Sequence, residues 1–469
     1  MPDPDREAPA QKVEQAHFPW RFRLPLFVGS ALNPINSSMI ATALVPIADQ
    51  VGASLGATSV LIASLYLASA VAQPAMGRLA EALGPRRVFV AGVGLVLAGG
   101  LIGGLGRDLP VLTVARVLIG IGTAAGYPTA MILVRRRAAA VGLTEPPGRV
   151  LGGLTVTGQA TAVLGLPLGG LLVGAFGWQA VFFVNVPLAL LAWPMLAAWV
   201  PPDPPPTLGG GLGRLARAVD IGGMAGFVAA TTSLLVFVLS LPQLRAVALA
   251  IGIGSAIGLV LWELHARAPF VDVRLLASSP ALSFAFARIA LTLFGMYSIL
   301  YGVAQWIEAG RGQSPAVAGF SILPMTAVAI VAATLAAGRT SVRRPLLAAA
   351  ACALAGSGGL LLAANTSSIL GVVAVTVLFG VAVGAGTVGN QAALYVAAPA
   401  ARIGTAAGFF RTFGYVGAIG SAAVTGVVFS DAADDRGLRT IAAILTVASI
   451  GLAVATLADR SLSTRAARR

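Results

Sequence analysis

Residues 152–187 read GGLTVTGQATAVLGLPLGGLLVGAFGWQAVFFVNVP, a glycine-laden apolar run, a break at Gly177, and a second apolar run entered through Trp178. Gly158, Gly165 and Gly169 recur at spacings of seven and four, which places them on one face of a helix. Small residues on one face let a second helix backbone approach closely, the usual mode of helix association in lipid. Pro167 removes a backbone donor and bends the helix where the glycines crowd. A helix in water is penalised for this much Gly and Pro, whereas one in a membrane finds neighbours that satisfy the freed backbone groups. The stretch predicts a membrane-embedded helical hairpin built for close packing.

Composition extends that reading to the whole chain. Of 469 residues 57% are hydrophobic and 10% charged, with a mean hydropathy of +0.89, too apolar to solvate a globular surface. The expected fold class is an all-α polytopic membrane protein. The net charge of +14 comes from 31 basic residues spaced between apolar spans, the pattern of membrane loops, so no nucleic-acid partner is expected. The single cysteine, Cys352, excludes an intrachain disulfide. Residues 1–20 are polar and the first apolar run is long enough to span, so no cleavable signal peptide is expected.

Apolar runs of spanning length number about fourteen: 24–46, 58–76, 88–105, 110–134, 150–175, 179–200, 221–241, 246–264, 281–307, 316–337, 345–364, 368–397, 403–429 and 440–458. With the N-terminus inside, 23 basic residues fall in inner segments, five in outer loops, and three (Arg116, Arg288, Arg411) within spans. That asymmetry predicts both termini in the cytoplasm of a plasma-membrane protein. Residues 201–219, PPDPPPTLGGGLGRLARAV, form the one clear linker. The expected organisation is a tail (1–23), a six-helix bundle (24–200), a linker with two further helices (201–280), a second six-helix bundle (281–458) and a tail (459–469).

Several motifs resemble those of one family. In register with the antiporter signature of major facilitator exporters stand Gly152, Gly165, Gly169 and Gly170, with Thr161 and Leu166 departing from it and Pro167 one place late. WQAVFFVNVP is similar to a run in the fourteen-helix drug:proton antiporter branch through Trp178, Phe182, Asn185 and Pro187. The loop GRLAEALGPRR (77–87) resembles the superfamily's loop between helices two and three, with Glu81 for its Asp. YGVAQWIEAGRGQSPAVAGFSILP matches at Tyr301, Gln305, Ser314, Pro315, Gly319, Leu323 and Pro324, and AAGFFRTFGYVGAIG looks like the thirteenth helix. The resemblance implies two six-helix halves around a central cavity, plus a two-helix insertion.

On that resemblance the gating residues are Gly77, Glu81, Gly84, Arg86 and Arg87, with Glu81, Arg86 and Arg87 able to pair across the halves, together with Gly152, Gly165, Pro167, Gly169 and Gly170. An arginine inside a span needs a partner or a wet cavity. Arg116 and Arg411 are therefore cavity candidates, with hydrogen bonds to neighbouring carbonyls as Arg116's alternative, and Arg288, nearer an end, is expected to snorkel. Asn36, Ser38, Gln305, Asn390 and Gln391 are further cavity candidates, each able instead to bond between helices. Where the fourteen-helix antiporters carry a proton-binding Asp in the first helix, this chain has Asn36, which cannot titrate. No acidic residue falls mid-span, leaving Glu308, near the outer end of helix nine, as the coupling candidate. A cavity with arginine and no carboxylate favours neutral or anionic amphiphiles over permanent cations.

His17 and His265 lie in a tail and a loop, so neither a metal cluster nor a His-dependent base is expected, and no phosphate-binding loop is present. The chain reads as no enzyme and as needing no cofactor. The expected function is proton-coupled secondary export of small amphipathic molecules by a monomer in the bilayer. The alternatives are an exporter of one metabolite or lipid and a transporter-like receptor that binds without transporting.

Overall fold

The structure is a computed structural model. It describes residues 17–143, 148–205, 220–240, 243, 245–266, 269–271, 273–337, 341–366, 368–398 and 403–462. The long helices are α1 (Trp20–Val51), α2 (Ser59–Leu83), α3 (Pro85–Leu105), α4 (Leu109–Ala140), α5 (Gly148–Phe176), α6 (Ala180–Trp199), α7 (Ile221–Leu239), α8 (Ala246–His265), α9 (Pro280–Gly310), α10 (Pro315–Ala337), α11 (Arg343–Thr366), α12 (Ile369–Ala397), α13 (Ile403–Val428) and α14 (Asp435–Ala458). Twelve of the described helices are long and apolar enough to cross a membrane, while α5 and α13 occupy the two remaining apolar runs. Fourteen is therefore the approximate count.

Local chemistry sets the helix ends. Asp108, Ser314, Ser368 and Asp434 each accept a hydrogen bond from the backbone N–H three residues on, at 2.8, 3.3, 3.2 and 2.7 Å, capping α4, α10, α12 and α14. Pro sits in the first turn of α3, α4, α9 and α10, where its missing N–H costs nothing. Gly84 turns the chain between α2 and α3 at φ 106°, a conformation other residues resist. The described ends of α2, α4 and α6 meet at one end of the bundle, with Arg78, Arg86, Arg87 and Arg135–Arg137. The start of α2, the end of α9 and the α13–α14 turn meet at another, with Asp431 and Asp435. These are called the basic and acidic ends.

Helices α1–α6 pack on one another, as do α9–α14, and the main buried cluster runs between the two groups through Met39, Tyr66, Leu166, Tyr301, Ile322 and Ile419. The α7–α8 hairpin leans on this body, and Val247, Ile251, Ile257 and Leu261 stay exposed along it. Such a face is costly in water and neutral against lipid tails.

Candidate functional site

The two groups meet along two seams, α2 against α13 and α5 against α10. In α5 the glycines serve two neighbours at once. A Cβ on Gly165 would lie 3.0 Å from the Ile35 carbonyl oxygen, and one on Gly169 2.6 Å from the Met39 oxygen. Both therefore bring α5 against the backbone of α1, at the turn where α1 tightens over Ile40–Ala43. One residue on, a Cβ on Gly170 would lie 2.6 Å from the Pro315 oxygen, in the other group. Gly319 answers from α10, 2.7 Å from the Leu166 oxygen and 3.3 Å from the Cα of Pro167. At Gly169, Gly170 and Gly319 the nearest obstacle is a backbone atom, which cannot rotate away, whereas at Gly165 it is the Ser38 hydroxyl. Gly152 lies outside the described side-chain surroundings.

At the centre four tyrosines bridge the groups. Tyr301 donates to the Ser37 carbonyl at 2.8 Å, and the Tyr66 and Tyr301 hydroxyls are 2.8 Å apart. Tyr297 stacks on Tyr301, and Tyr66 also meets Tyr297 and Tyr415 at 4.9 and 5.8 Å between ring centres. Tyr297 and Tyr415 escaped the sequence reading; the i, i+4 spacing of Tyr297 and Tyr301 was the available signal. Near the acidic end, Gly56 closes on Ser430, its Cβ position 2.7 Å from that Cα.

The cavity candidates separate into three sets. Asn36 is taken up by a reciprocal amide pair with Asn185 of α6, at 2.7 and 2.9 Å, and is 1% exposed. Ser38 bonds the Pro34 carbonyl at 3.0 Å under Gly165. Asn390 accepts from Arg288 at 2.9 Å. Asn36 and Asn390 thus bond to residues of other helices, Ser38 bonds within α1, and all three are buried in this conformation. Arg288 does not snorkel: it is buried and ion-paired with Asp459 at 2.8 Å, because Asp459 at the end of α14 reaches in to meet it.

Arg116 follows its alternative, donating to the carbonyls of Leu61 (2.9 Å) and Asn36 (3.1 Å). Gln305 and Glu308 are buried with no hydrogen-bond partner on either polar side-chain atom, in and beside two π-helical turns, Ser298–Val303 and Trp306–Gly310. Such turns recur at functional sites. Arg411 is exposed well inside α13, its guanidinium 3.9 Å over the ring of Tyr127 in the opposite group. Gln391 is half-buried.

In the 77–87 loop, the described bonds of Arg86 and Arg87 stay near the first group rather than reaching across to the second. Arg86 donates to the Ala197 carbonyl at 2.5 Å, Arg87 to those of Leu83 and Pro204, and Glu81 is exposed. Asp203, absent from the sequence candidates, organises this corner: it accepts from the Arg87 backbone N–H at 2.8 Å, pairs with Arg136 at 3.3 Å, and packs under Gly84. Its position in a proline run directly after α6 was the signal. Gly77 has room for a side chain, its Cβ position 3.7 Å from Pro128.

The family model described as Major Facilitator Superfamily matches residues 26–422. The chain belongs to the major facilitator superfamily. This superfamily member is 31% identical over 405 residues, 86% of its length and 88% of the other, to an uncharacterized MFS-type transporter, YwoD, of Bacillus subtilis. It is 29% identical over 388 residues (79% and 68%) to the multidrug resistance protein Stp of Mycobacterium tuberculosis. It is 28% identical over 432 residues (89% and 77%) to the tetracenomycin C resistance and export protein of Streptomyces glaucescens. Its fold is that of a peptide transporter, POT, solved with sulfate, at a TM-score of 0.67 over 94% of this chain and 95% of that one with 16% identity. Both family and fold are those of transporters.

Proposed function

We propose that the protein exports small amphipathic molecules across the plasma membrane by alternating access, with proton antiport as the driving reaction. The supporting observation is the unequal closure of the interface. At the acidic end and the centre the groups touch through Gly170, Gly319, Gly56 and Tyr301, whereas Arg411, toward the basic end, is exposed beside the opposite group. With the basic end in the cytoplasm, as its arginines favour, this is a conformation loaded from inside. The helices of 24–200 and 281–458 act as the two halves, and 77–87 forms the inner gate, its charges free to meet the second half once the inner side closes. The export in the name of the Streptomyces glaucescens relative supports the direction.

Glu308 is the coupling residue in this reading. Both its oxygens lack partners at a buried helix end, so a proton can be exchanged there when water reaches that end. In proteoliposomes an imposed pH gradient should drive transport by the wild type, and Glu308→Gln should weaken it severalfold while leaving insertion intact. Full pH-driven transport by Glu308→Gln would remove Glu308 from the mechanism. Absence of any gradient-driven transport by the wild type would remove export itself.

A further inference from the structure

Serine and threonine inside an apolar helix ordinarily bond back to their own helix. Thr42, Ser64, Thr129, Thr292, Thr376 and Thr456 each donate to a carbonyl three or four residues earlier. Five buried hydroxyls among the described residues have no partner, and three of them, Ser298, Ser421 and Thr425, belong to the adjoining helices α9 and α13 and are 0% exposed. A Cβ on Gly417 would run into the Ala290 carbonyl and lie 3.0 Å from the Phe294 nitrogen, so the two backbones touch there. Both helices run toward the acidic end, where Gly310 closes on Ala433 beyond α13. One turn along each from this contact brings Ser421 level with Ser298, and a second brings Thr425 level with the first π-helical turn, on which α13 packs.

On α9 the same condition continues outward. Every residue from Ser298 to Glu308 is buried, and Ser298, Gln305 and Glu308 have no partner on any side-chain polar atom. Tyr301, between them, is bonded to Ser37 and Tyr66. The first turns of α10, packed beside Glu308, carry no charge, and Arg311 is paired with Asp435 of α14. At its inner end the row begins beside Tyr297 and Tyr415, both half-buried, the second one turn from exposed Arg411.

The length of the row decides what it can hold. Ser298 and Glu308 are ten residues apart, at most about 15 Å at the helical rise. A bound cation gathers its oxygens within about 5 Å of one another, so one ion cannot serve the row, and the Gln305 amide nitrogen is no ligand for it. Water at a spacing of about 2.8 Å spans that length with about four or five molecules, and buried water takes up the polar atoms a fold leaves over.

We propose that Ser298, Ser421, Thr425 and Gln305 hold a file of ordered water that carries protons between Glu308 and the central tyrosines. The proposal rests on Glu308 as the coupling residue and gives it a route to the inner side. The acidic end is closed through Gly56, Gly170 and Gly319, so in this conformation the proton leaves inward along the file. Glu308 passes its proton to the adjoining water, each water hands one on, and the inner end releases one to the cavity, leaving the file as it was. When the halves rock, the outer solution reaches Glu308 directly, so the proton meets one side at a time.

The test compares two rates of the full chain in proteoliposomes: transport driven by a pH gradient, and substrate counterflow at equal pH, in which the loaded protein rocks without releasing a proton. In the double variant Ser421→Ala, Thr425→Val the ratio of the first to the second should fall about tenfold, the worth of one or two hydrogen bonds along the path. An unchanged ratio, whether both rates hold or both fall, would overturn the file. Heat unfolding in detergent gives a second reading. Thr425→Val, which keeps the volume, should lower the midpoint because it strands a bonded water; a dry, unpartnered hydroxyl would instead give a variant more stable than the wild type, and that result would overturn the proposal. Gradient-driven transport lost in Glu308→Gln but intact in the double variant would defeat the file and leave the coupling reading standing. The reverse pattern would defeat Glu308 and keep the file.

Discussion

Gly169 and Gly174 lie five residues apart in the same helix, and the structure gives them opposite expectations. A Cβ at Gly169 would sit 2.6 Å from the Met39 oxygen, 2.9 Å from the Met39 Cα and 2.8 Å from the Thr42 Oγ1; at Gly174 nothing lies within 4 Å. Reaching an ordinary contact distance requires α5 and α1 to separate by about 0.8 Å, a shift that also strains Gly170 on Pro315. Overpacking of this kind costs about 1–3 kcal/mol. Alanine recovers about 1 kcal/mol of helix propensity at either site, so that contribution cancels between them. Gly174→Ala should match or exceed the wild type in thermal stability, and Gly169→Ala should fall below Gly174→Ala by about 1–3 kcal/mol. Unfolding of the purified proteins in detergent measures the difference, and vesicle uptake measures the consequence. Gly169→Leu, which hydropathy still inserts, should lose most transport. Equal stability of the two alanine variants, with normal transport by Gly169→Leu, would refute the close-packing argument.

Other expectations follow from the same geometry. A double-mutant cycle on Asn36→Ala and Asn185→Ala should show a coupling of about 0.6–1.7 kcal/mol, the average and upper end for such cycles on interhelical hydrogen bonds in membranes; additive effects would leave Asn36 available to the cavity. Asp459→Ala should destabilise the protein by about 3–5 kcal/mol, since it strands a buried guanidinium, and a variant as stable as the wild type would show that Arg288 finds water instead. Cysteine at Arg136, in a Cys352→Ala background, should resist an impermeant thiol reagent in intact cells, and labelling without lysis would invert the topology. Arg411→Gln should relax discrimination against ethidium, and an ethidium preference already present in the wild type would remove the guanidinium from selection.

The helical spans were legible because lipid imposes a one-body rule: each spanning segment must be apolar over its own length, whatever it packs against. The glycine face of α5 was legible for a related reason, since Gly158, Gly165 and Gly169 advertise a close neighbour without naming it. Polar residues inside spans were not legible, because their roles depend on partners far along the chain. Asn36 meets Asn185 at a separation of 149 residues, and Arg288 meets Asp459 at 171. Nothing local distinguishes an asparagine that faces another asparagine from one that faces a cavity. Arg288 near a helix end resembles a snorkelling residue until the carboxylate of another helix is placed beside it. The Asp203 corner failed for the same reason, with the added obscurity of a proline run.

Charge compensation orders what remains. Three arginines lie within spans, and two bond internally, Arg288 to Asp459 and Asn390 and Arg116 to two carbonyls, each keeping one buried Nη without a partner. Arg411 instead rests on the face of Tyr127, a contact a ligand can displace because a cation–π pair at an exposed site is worth only about 0.5–1 kcal/mol. At the other end of the interface Glu308 lies buried with both oxygens unpartnered. These two charged groups thus sit at opposite ends of the central tyrosines, one basic and open, one acidic and buried. Each lacks a counter-charge that the fold could have supplied, as it does for Arg288. In the proposed cycle those places fall to the transported molecules: an anionic or hydrogen-bond-accepting group of the substrate at Arg411, and a proton at Glu308. Their separation means that one need not displace the other by direct competition. The coupling between them then has to pass through the bridging contacts of Tyr66, Tyr301 and Ser37, which either form together or break together as the halves rock.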